Sequence, residues 1–192
     1  MILQNISSFG YKLVLFDLPG ESTPGQCVTL GGKYFVLANH FNGVGSVVVR
    51  EGSDFDLAPG THVKLEGPLG RGFDTSLTEG EVPIIVTGGT GFAAGSRLVR
   101  CFRESRVDFR MVAYSRNTVG VEDTMRLLGT YTVSRVKSWN TATSGRPTTP
   151  LDPLLVNNRS VVFFAGPGSL YESCRTELDK RGLSDVTIRV NY

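Results

Sequence analysis

Hydrophobic positions fall into two rhythms along the chain. In the first half they form short runs between Gly/Pro turns. Lys12–Phe16 is closed by Pro19-Gly20, and Gln26–Leu30 by Gly31-Gly32. Tyr34–Ala38 and the Val-rich Ser46–Arg50 follow, and His62–Leu65 comes after the turn Ala58-Pro59-Gly60. Short apolar strands punctuated in this way predict a small antiparallel β-barrel or sandwich.

The second half alternates. Pro83–Val86 predicts a buried strand, Gly88-Gly89-Thr90-Gly91 a turn, and Phe92–Phe102 a helix. Strands over Phe109–Tyr114, Tyr131–Val136, Val161–Ala165 and Val186–Val190 alternate with helices over Val121–Leu128 and Leu170–Lys180, the last stopped by Gly182. That order predicts a doubly wound parallel sheet covered on both faces. The polar, aperiodic stretch Thr75–Glu81 separates the rhythms, so the expected domains are 1–78 and 79–192, each long enough for a core. Ser138–Asn158 is rich in Ser, Thr, Pro and Asn and reads either as a surface excursion or as a functional loop.

Composition removes several classes of function. The chain has 192 residues, with 20 Lys+Arg against 18 Asp+Glu, a net charge of +2. So small an excess argues against general nucleic-acid binding and against a polybasic membrane anchor. No apolar run is long enough to span a bilayer, and Met1–Phe9 lacks the basic and apolar regions of a secretory signal. Cys27, Cys101 and Cys174 are widely spaced, with no C-x-x-C. They are expected as buried or half-buried thiols in a reducing, intracellular compartment, the cytoplasm or an organelle such as the mitochondrion. His40 and His62 stand alone, which excludes metal-ligand spacings and gives no Ser-His-Asp set.

Candidate chemistry lies in the glycine turns. Gly88-Gly89-Thr90-Gly91 follows a strand and opens a helix, and Gly166-Pro167-Gly168 repeats the arrangement. Such turns let a ligand approach the backbone and offer it unpaired N–H groups. The spacing is not G-x-G-x-x-G, but two such turns in one doubly wound sheet point to one crevice.

Pro24-Gly25-Gln26, Gly67-Pro68-Leu69-Gly70-Arg71-Gly72-Phe73, Gly88-Gly89-Thr90-Gly91-Phe92-Ala93 and Gly166-Pro167 occur in this order. With them the chain resembles the ferredoxin–NADP reductase superfamily over nearly its whole length, and Gly67–Phe73 most resembles the electron-transfer subunit of dihydroorotate dehydrogenase. The resemblance implies a flavin-binding antiparallel barrel followed by an NAD(P)-binding α/β domain. Electrons would pass from NAD(P)H through FAD or FMN to a protein partner.

The family's flavin motif, Arg-x-Tyr-Ser, falls on Lys33, Phe35 and Val36. Lys lacks the planar fork of Arg, Phe lacks the hydroxyl, and Val cannot hydrogen-bond. The stretch from Gly45 to Gly60 is shorter than the family's phosphate-holding loop and carries Glu51 and Asp54. Each lost charged hydrogen bond costs about 1.5–3 kcal/mol, so a weakened or lost flavin site is expected. Cys-Gly-Pro of the family reads Ala165-Gly166-Pro167, and Ala94 stands where Gly-Thr-Gly-Ile-Ala-Pro ends in Pro.

For the dinucleotide, the resemblance assigns Gly89, Thr90, Gly91, Gly166 and Pro167 to its bound backbone. Ser134 and Arg135 match the strand-end Ser-Arg that meets the 2′-phosphate of NADP. Trp139 and Gly145-Arg146 sit where some members carry Trp and Gly-Arg, and Tyr192 where several carry a C-terminal aromatic that covers the flavin. The expected function is an NADP(H)-binding or structural accessory subunit whose partners are other protein subunits. The alternative is an active NAD(P)H–flavin oxidoreductase. No catalytic residue follows from the sequence. Arg97, Arg100 and Arg103 recur every third position and read as a solvated face or as a dock for an acidic protein.

Overall fold

The computed structural model describes residues 1–55, 57–132, 134–151 and 156–191. Six strands open the chain: β1 (Ile2–Ser8), β2 (Tyr11–Asp17), β3 (Cys27–Leu30), β4 (Lys33–Phe41), β5 (Val44–Arg50) and β6 (Leu65–Leu69). They form one antiparallel sheet in the order β1-β2-β5-β4-β3-β6. Ile2 N–H donates to Thr61 O at 3.0 Å and Gly60 N–H to Ile2 O at 2.9 Å, which ties the lead into β6 back to β1. The sheet thereby curls around Val14, Phe16, Val28, Leu37 and Val47.

Two departures from the sequence reading sit at the edges. β1 was not anticipated, because an edge strand whose large apolar residues, Ile2, Leu3 and Ile6, do not alternate with polar ones gives little signal. The strand expected at His62–Leu65 begins at Leu65 instead and runs through Gly67 and Pro68 to Leu69. β6 is an edge strand, where a Pro lacking an N–H is tolerated.

The second half contains β7 (Val82–Gly88), α1 (Phe92–Glu104), β8 (Arg110–Ser115), α2 (Thr118–Leu127), β9 (Val136–Asn140), β10 (Ser160–Ala165), α3 (Gly168–Lys180) and β11 (Ile188–Val190). All neighbouring strands pair in parallel, in the order β11-β10-β7-β8-β9. The chain winds outward from β7 to β9 and then crosses to β10, so its direction reverses between β7 and β10. Residues of α1 and α2 pack with one face of this sheet, and residues of α3 with the other.

β9 corrects the expected strand at Tyr131–Val136. Only Val136 of β9 is buried, because β9 is the outer strand of the sheet, and polar positions predominate along it. The residues just before it carry the stronger apolar alternation and drew the assignment upstream.

Barrel and α/β domain share a core. Tyr11, Leu13, Ala38 and Val48 pack in one cluster with Ile85, Phe92 and Ala93, and the Tyr11 and Phe92 rings meet edge-to-face at 5.2 Å. The Tyr11 hydroxyl lies 3.1 Å from Ser115 Oγ, and Asn191 Nδ2 donates to Gly25 O at 3.1 Å. The motifs Pro24-Gly25-Gln26 and Gly67–Phe73 meet here: Gln26 Nε2 donates to Gly70 O at 2.8 Å and Phe73 N–H to Pro24 O at 2.7 Å. Phe73 then enters the shared core.

The arginine row divides: Arg97 and Arg100 are half-buried and Arg103 is exposed, and each donates to a backbone carbonyl. Arg97 donates to Thr23 O at 2.8 Å and Ser22 O at 2.7 Å, clamping the barrel onto α1. Burial lowers its pKa to about 10. Arg100 and Arg103 donate to Leu128 O and Gly129 O at the end of α2, where carbonyls lack helical partners and the dipole favours cations. Arg97→Ala is therefore expected to cost about 1.5–3 kcal/mol in thermal unfolding. An unchanged Tm would mean that the clamp contributes nothing.

His40 is structural. Its Nε2 donates to Leu18 O at 2.8 Å and its Nδ1 lies 2.7 Å from Ser22 Oγ. Cys174 is buried and its thiol is pushed up to about 12, while Cys27 and Cys101 are half-buried. Among the described residues no group of His, Cys, Asp and Glu could hold a metal ion, and no helix is long and apolar enough to cross a membrane.

Candidate functional site

Strand order reverses between β7 and β10, and in open α/β sheets that position leaves a crevice beyond the carboxyl ends of the strands. Two helices start there. A single 3₁₀ turn, Gly89–Gly91, leads into α1, and Pro167 leads into α3. Neither start has a side-chain cap or an acid in its first turn, so their N–H groups remain available to an anion.

The glycines of these turns do different jobs. A Cβ on Gly91 would lie 2.1 Å from Ala165 O, one on Gly88 2.7 Å from Pro167 Cδ, and one on Gly166 2.9 Å from Gly88 N. These three are glycine because the β7 and β10 turns press together. Gly89 differs: its φ is +59° and a Cβ there would meet nothing within 4 Å. It faces open space.

Two connected cavities occupy the crevice. The larger, about 720 Å³, is walled by Gly88, Gly89 and Pro167, by Ser115-Arg116-Asn117 after β8, by Thr141, Arg146 and Pro147 after β9, and by Gly10, Arg50 and Glu51 of the barrel. The guanidinium groups of Arg50, Arg116 and Arg146 have no partner among the described residues. Glu51, the only acid of the wall among the described residues, accepts from Gly10 N–H at 3.1 Å. The smaller cavity, about 520 Å³, runs under Tyr34 between Val36 and Val48 on one side and Gly89–Gly91, Gly166 and Pro167 on the other. Arg50, Gly88, Gly89 and Pro167 border both. Volumes of this order suit small-molecule ligands.

No family model and no curated protein matches this sequence. Solved structures do. An intact type IV self-sufficient cytochrome P450 monooxygenase aligns over 98% of this chain at 14% identity with a TM-score of 0.76. Phthalate dioxygenase reductase, described as a modular structure for electron transfer from pyridine nucleotides to [2Fe-2S], aligns over 98% at 19% identity and 0.73. The FAD/NAD-binding domain of nitric oxide dioxygenase from Vibrio cholerae aligns over 99% at 15% identity and 0.72. The chain has the ferredoxin–NADP reductase fold. It spans 27% of the monooxygenase, 66% of phthalate dioxygenase reductase and 95% of the Vibrio cholerae domain.

Within this fold, the structure brings together Val36, Gly89, Thr90, Gly91, Gly166 and Pro167 around the smaller cavity. Phe35 borders it, but its ring packs on Phe55 in the barrel core at 4.5 Å, and the aromatic over the cavity is Tyr34, which is 73% exposed. Lys33 is paired with Asp54 at 2.8 Å, outside both cavities, and this ammonium holds the Asp54 carboxyl below its ordinary range. Tyr192 lies outside the described residues.

Ser134 and Arg135 are a correction. They precede β9 and therefore sit at the amino edge, opposite the crevice. Arg135 is paired with Asp108 at 3.1 Å, an acid distant in sequence from it. The residues at the carboxyl end of β9 are Asn140 and Thr141, and Arg146 reaches the crevice from beyond them. Sequence reading missed Arg50, Arg116 and Tyr34. Arg116 was within reach of the strand-end rule, since Tyr114-Ser115-Arg116-Asn117 closes a strand that the sequence predicted.

The long segment after β9 is anchored from below. Tyr114 Oη donates to Pro150 O at 2.5 Å, and Glu177 Oε2 accepts Leu151 N–H at 2.7 Å. Glu177, 4% exposed, also holds Arg181, which in turn donates to Leu151 O. Thr141, Arg146 and Pro147 of this segment line the crevice, while residues 142–145 between them are exposed.

Proposed function

We propose that this chain is a reductase-fold module that binds a nicotinamide dinucleotide at the carboxyl edge of its parallel sheet and works within a larger electron-transfer assembly. The observation that carries this is the convergence of Arg50, Arg116 and Arg146, all unpaired among the described residues, on the uncapped starts of α1 and α3. One carboxylate, already engaged by Gly10 N–H, does not cancel them. A pyrophosphate fits the helix starts and the open face of Gly89. NADP(H) is favoured over NAD(H), because Arg116 and Arg146 flank the strand ends where a 2′-phosphate can be gripped bidentately.

The neighbours' names speak of FAD, and this chain meets only part of what a flavin needs. The smaller cavity, under Tyr34, suits a planar ring. The positions of the phosphate-gripping motif differ from the family's: Lys33 pairs with Asp54, the Phe35 ring turns into the barrel, and the Val36 side chain has no donor. The reading is a weakened flavin site, so no electron-transfer step is derived through a flavin. Tyr34 and its cavity support the second reading, an active NAD(P)H–flavin oxidoreductase.

Titration of FAD followed by absorption and fluorescence separates the two. The first reading predicts weak or no saturation at micromolar FAD. Tight binding of about one equivalent would install the second. For the nucleotide, Arg116→Ala and Arg146→Ala are each expected to weaken NADPH binding about ten- to a hundredfold, while Arg135→Ala leaves it unchanged. Loss of NADPH binding in Arg135→Ala would overturn the assignment.

A further inference from the structure

We propose that the amino edge of the parallel sheet is a docking groove for a short acidic segment of a partner protein. This edge lies at the opposite ends of the strands from the nucleotide crevice, so the proposal does not rest on it. Three adjoining hollows mark the edge, the largest about 820 Å³, lined by Arg103, Arg106, Asp108, Thr132, Ser134 and Arg135. Arg100, Arg110 and Lys137 line the others.

Charge is concentrated there. Among the described residues the three hollows carry six basic residues against two acids, Glu104 and Asp108, in a chain whose net charge is +2. The edge is therefore net positive and the remainder of the molecule net negative. Five of the six are arginines, whose planar forks match carboxylates bidentately. Arg103 is fixed through Nη1 by Gly129 O, and Arg135 through Nη1 by Asp108, so both are pre-organised with donors to spare. Arg106 stands out. It occupies a left-handed position, φ +57°, just past α1, where glycine is the usual residue, and its exposed guanidinium has no partner among the described residues.

A short acidic protein segment fits this distribution best. Among the described residues none of the exposed large hydrophobics, such as Phe9, Phe41 or Trp139, lines the hollows, so they offer no apolar anchors for a membrane surface. A long polyanion would run onto the net-negative remainder of the molecule, whereas a short segment stays within the groove. Half-buried Val107 floors the groove and gives such a segment an apolar contact.

The test is fluorescence anisotropy of the full chain with a dye-labelled Glu-Leu-Glu-Glu-Leu-Glu peptide at low salt. Saturable binding is expected, weakened about tenfold or more by Arg106→Glu and by added salt. It should be absent for the peptide with Gln in place of Glu and unaffected by Arg116→Glu in the crevice. Equal binding of the Gln peptide, indifference to Arg106→Glu, or loss in Arg116→Glu would overturn the proposal. Tighter, Arg106-dependent binding of a short oligouridine or of phosphatidylserine vesicles would also overturn it, assigning the edge to nucleic acid or membrane. If Arg106→Glu does not fold, Arg135→Gln carries the same expectation.

Discussion

Glu177→Ala is expected to destabilise the protein by about 3–5 kcal/mol, a fall in Tm of roughly 6–20 °C. Glu177 is 4% exposed and binds both Leu151 N–H and the Arg181 guanidinium. Removing it takes the counter-charge from a half-buried cation and the acceptor from a backbone N–H, and each such loss is expensive in a low-dielectric interior. Glu177→Gln keeps one acceptor and should lie between. Because Leu151 anchors the segment that carries Thr141–Pro147, the Ala variant should also weaken nucleotide binding. Differential scanning calorimetry checks the first effect. A Tm within about 2 °C of wild type would mean that the pair only breaks even against solvent.

Gly91→Ala and Gly89→Ala should behave differently although they are two residues apart. A methyl on Gly91 would lie 2.1 Å from Ala165 O, a backbone atom of β10 that cannot swing away. The β7 and β10 turns must then separate, at a cost of about 3 kcal/mol or more. Gly89 has φ +59° and open space around its Cα. Alanine there costs only about 1–2 kcal/mol of left-handed strain and leaves the protein folded. Its methyl would, however, stand where the pyrophosphate is proposed to lie, so NADPH affinity should fall. Urea unfolding of both variants, with nucleotide titration of Gly89→Ala, distinguishes the two roles. Similar stability losses would remove the distinction.

Much of the fold was legible because periodicity survives where burial is complete. β7 and β10 are buried along nearly their whole length and read as apolar runs, and the helices were bounded by glycine turns. What failed lies at edges. β1, β6 and β9 are outer strands, each with a solvent-facing side that dilutes the pattern. The β9 error propagated into the site. Shifting a strand by several residues moved Ser134 and Arg135 from one end of the sheet to the other, and charge alone could not reveal it. The partners of Arg97, Arg100 and Arg103 are backbone carbonyls distant in sequence, a kind of contact that residue spacing cannot predict. The two glycine turns border one cavity, but only close approaches such as that of Ala165 to Gly91 separate the packing glycines from Gly89 and Gly168, which face open space.

Isothermal titration of NADPH into the wild-type chain and into the Arg116→Ala/Arg146→Ala double variant tests the central proposal most directly. The account predicts one site per wild-type chain, and an affinity reduced about a hundredfold or more in a double variant whose Tm is unchanged. NADPH binding of equal strength in both proteins, or no heat of binding in either, would contradict it.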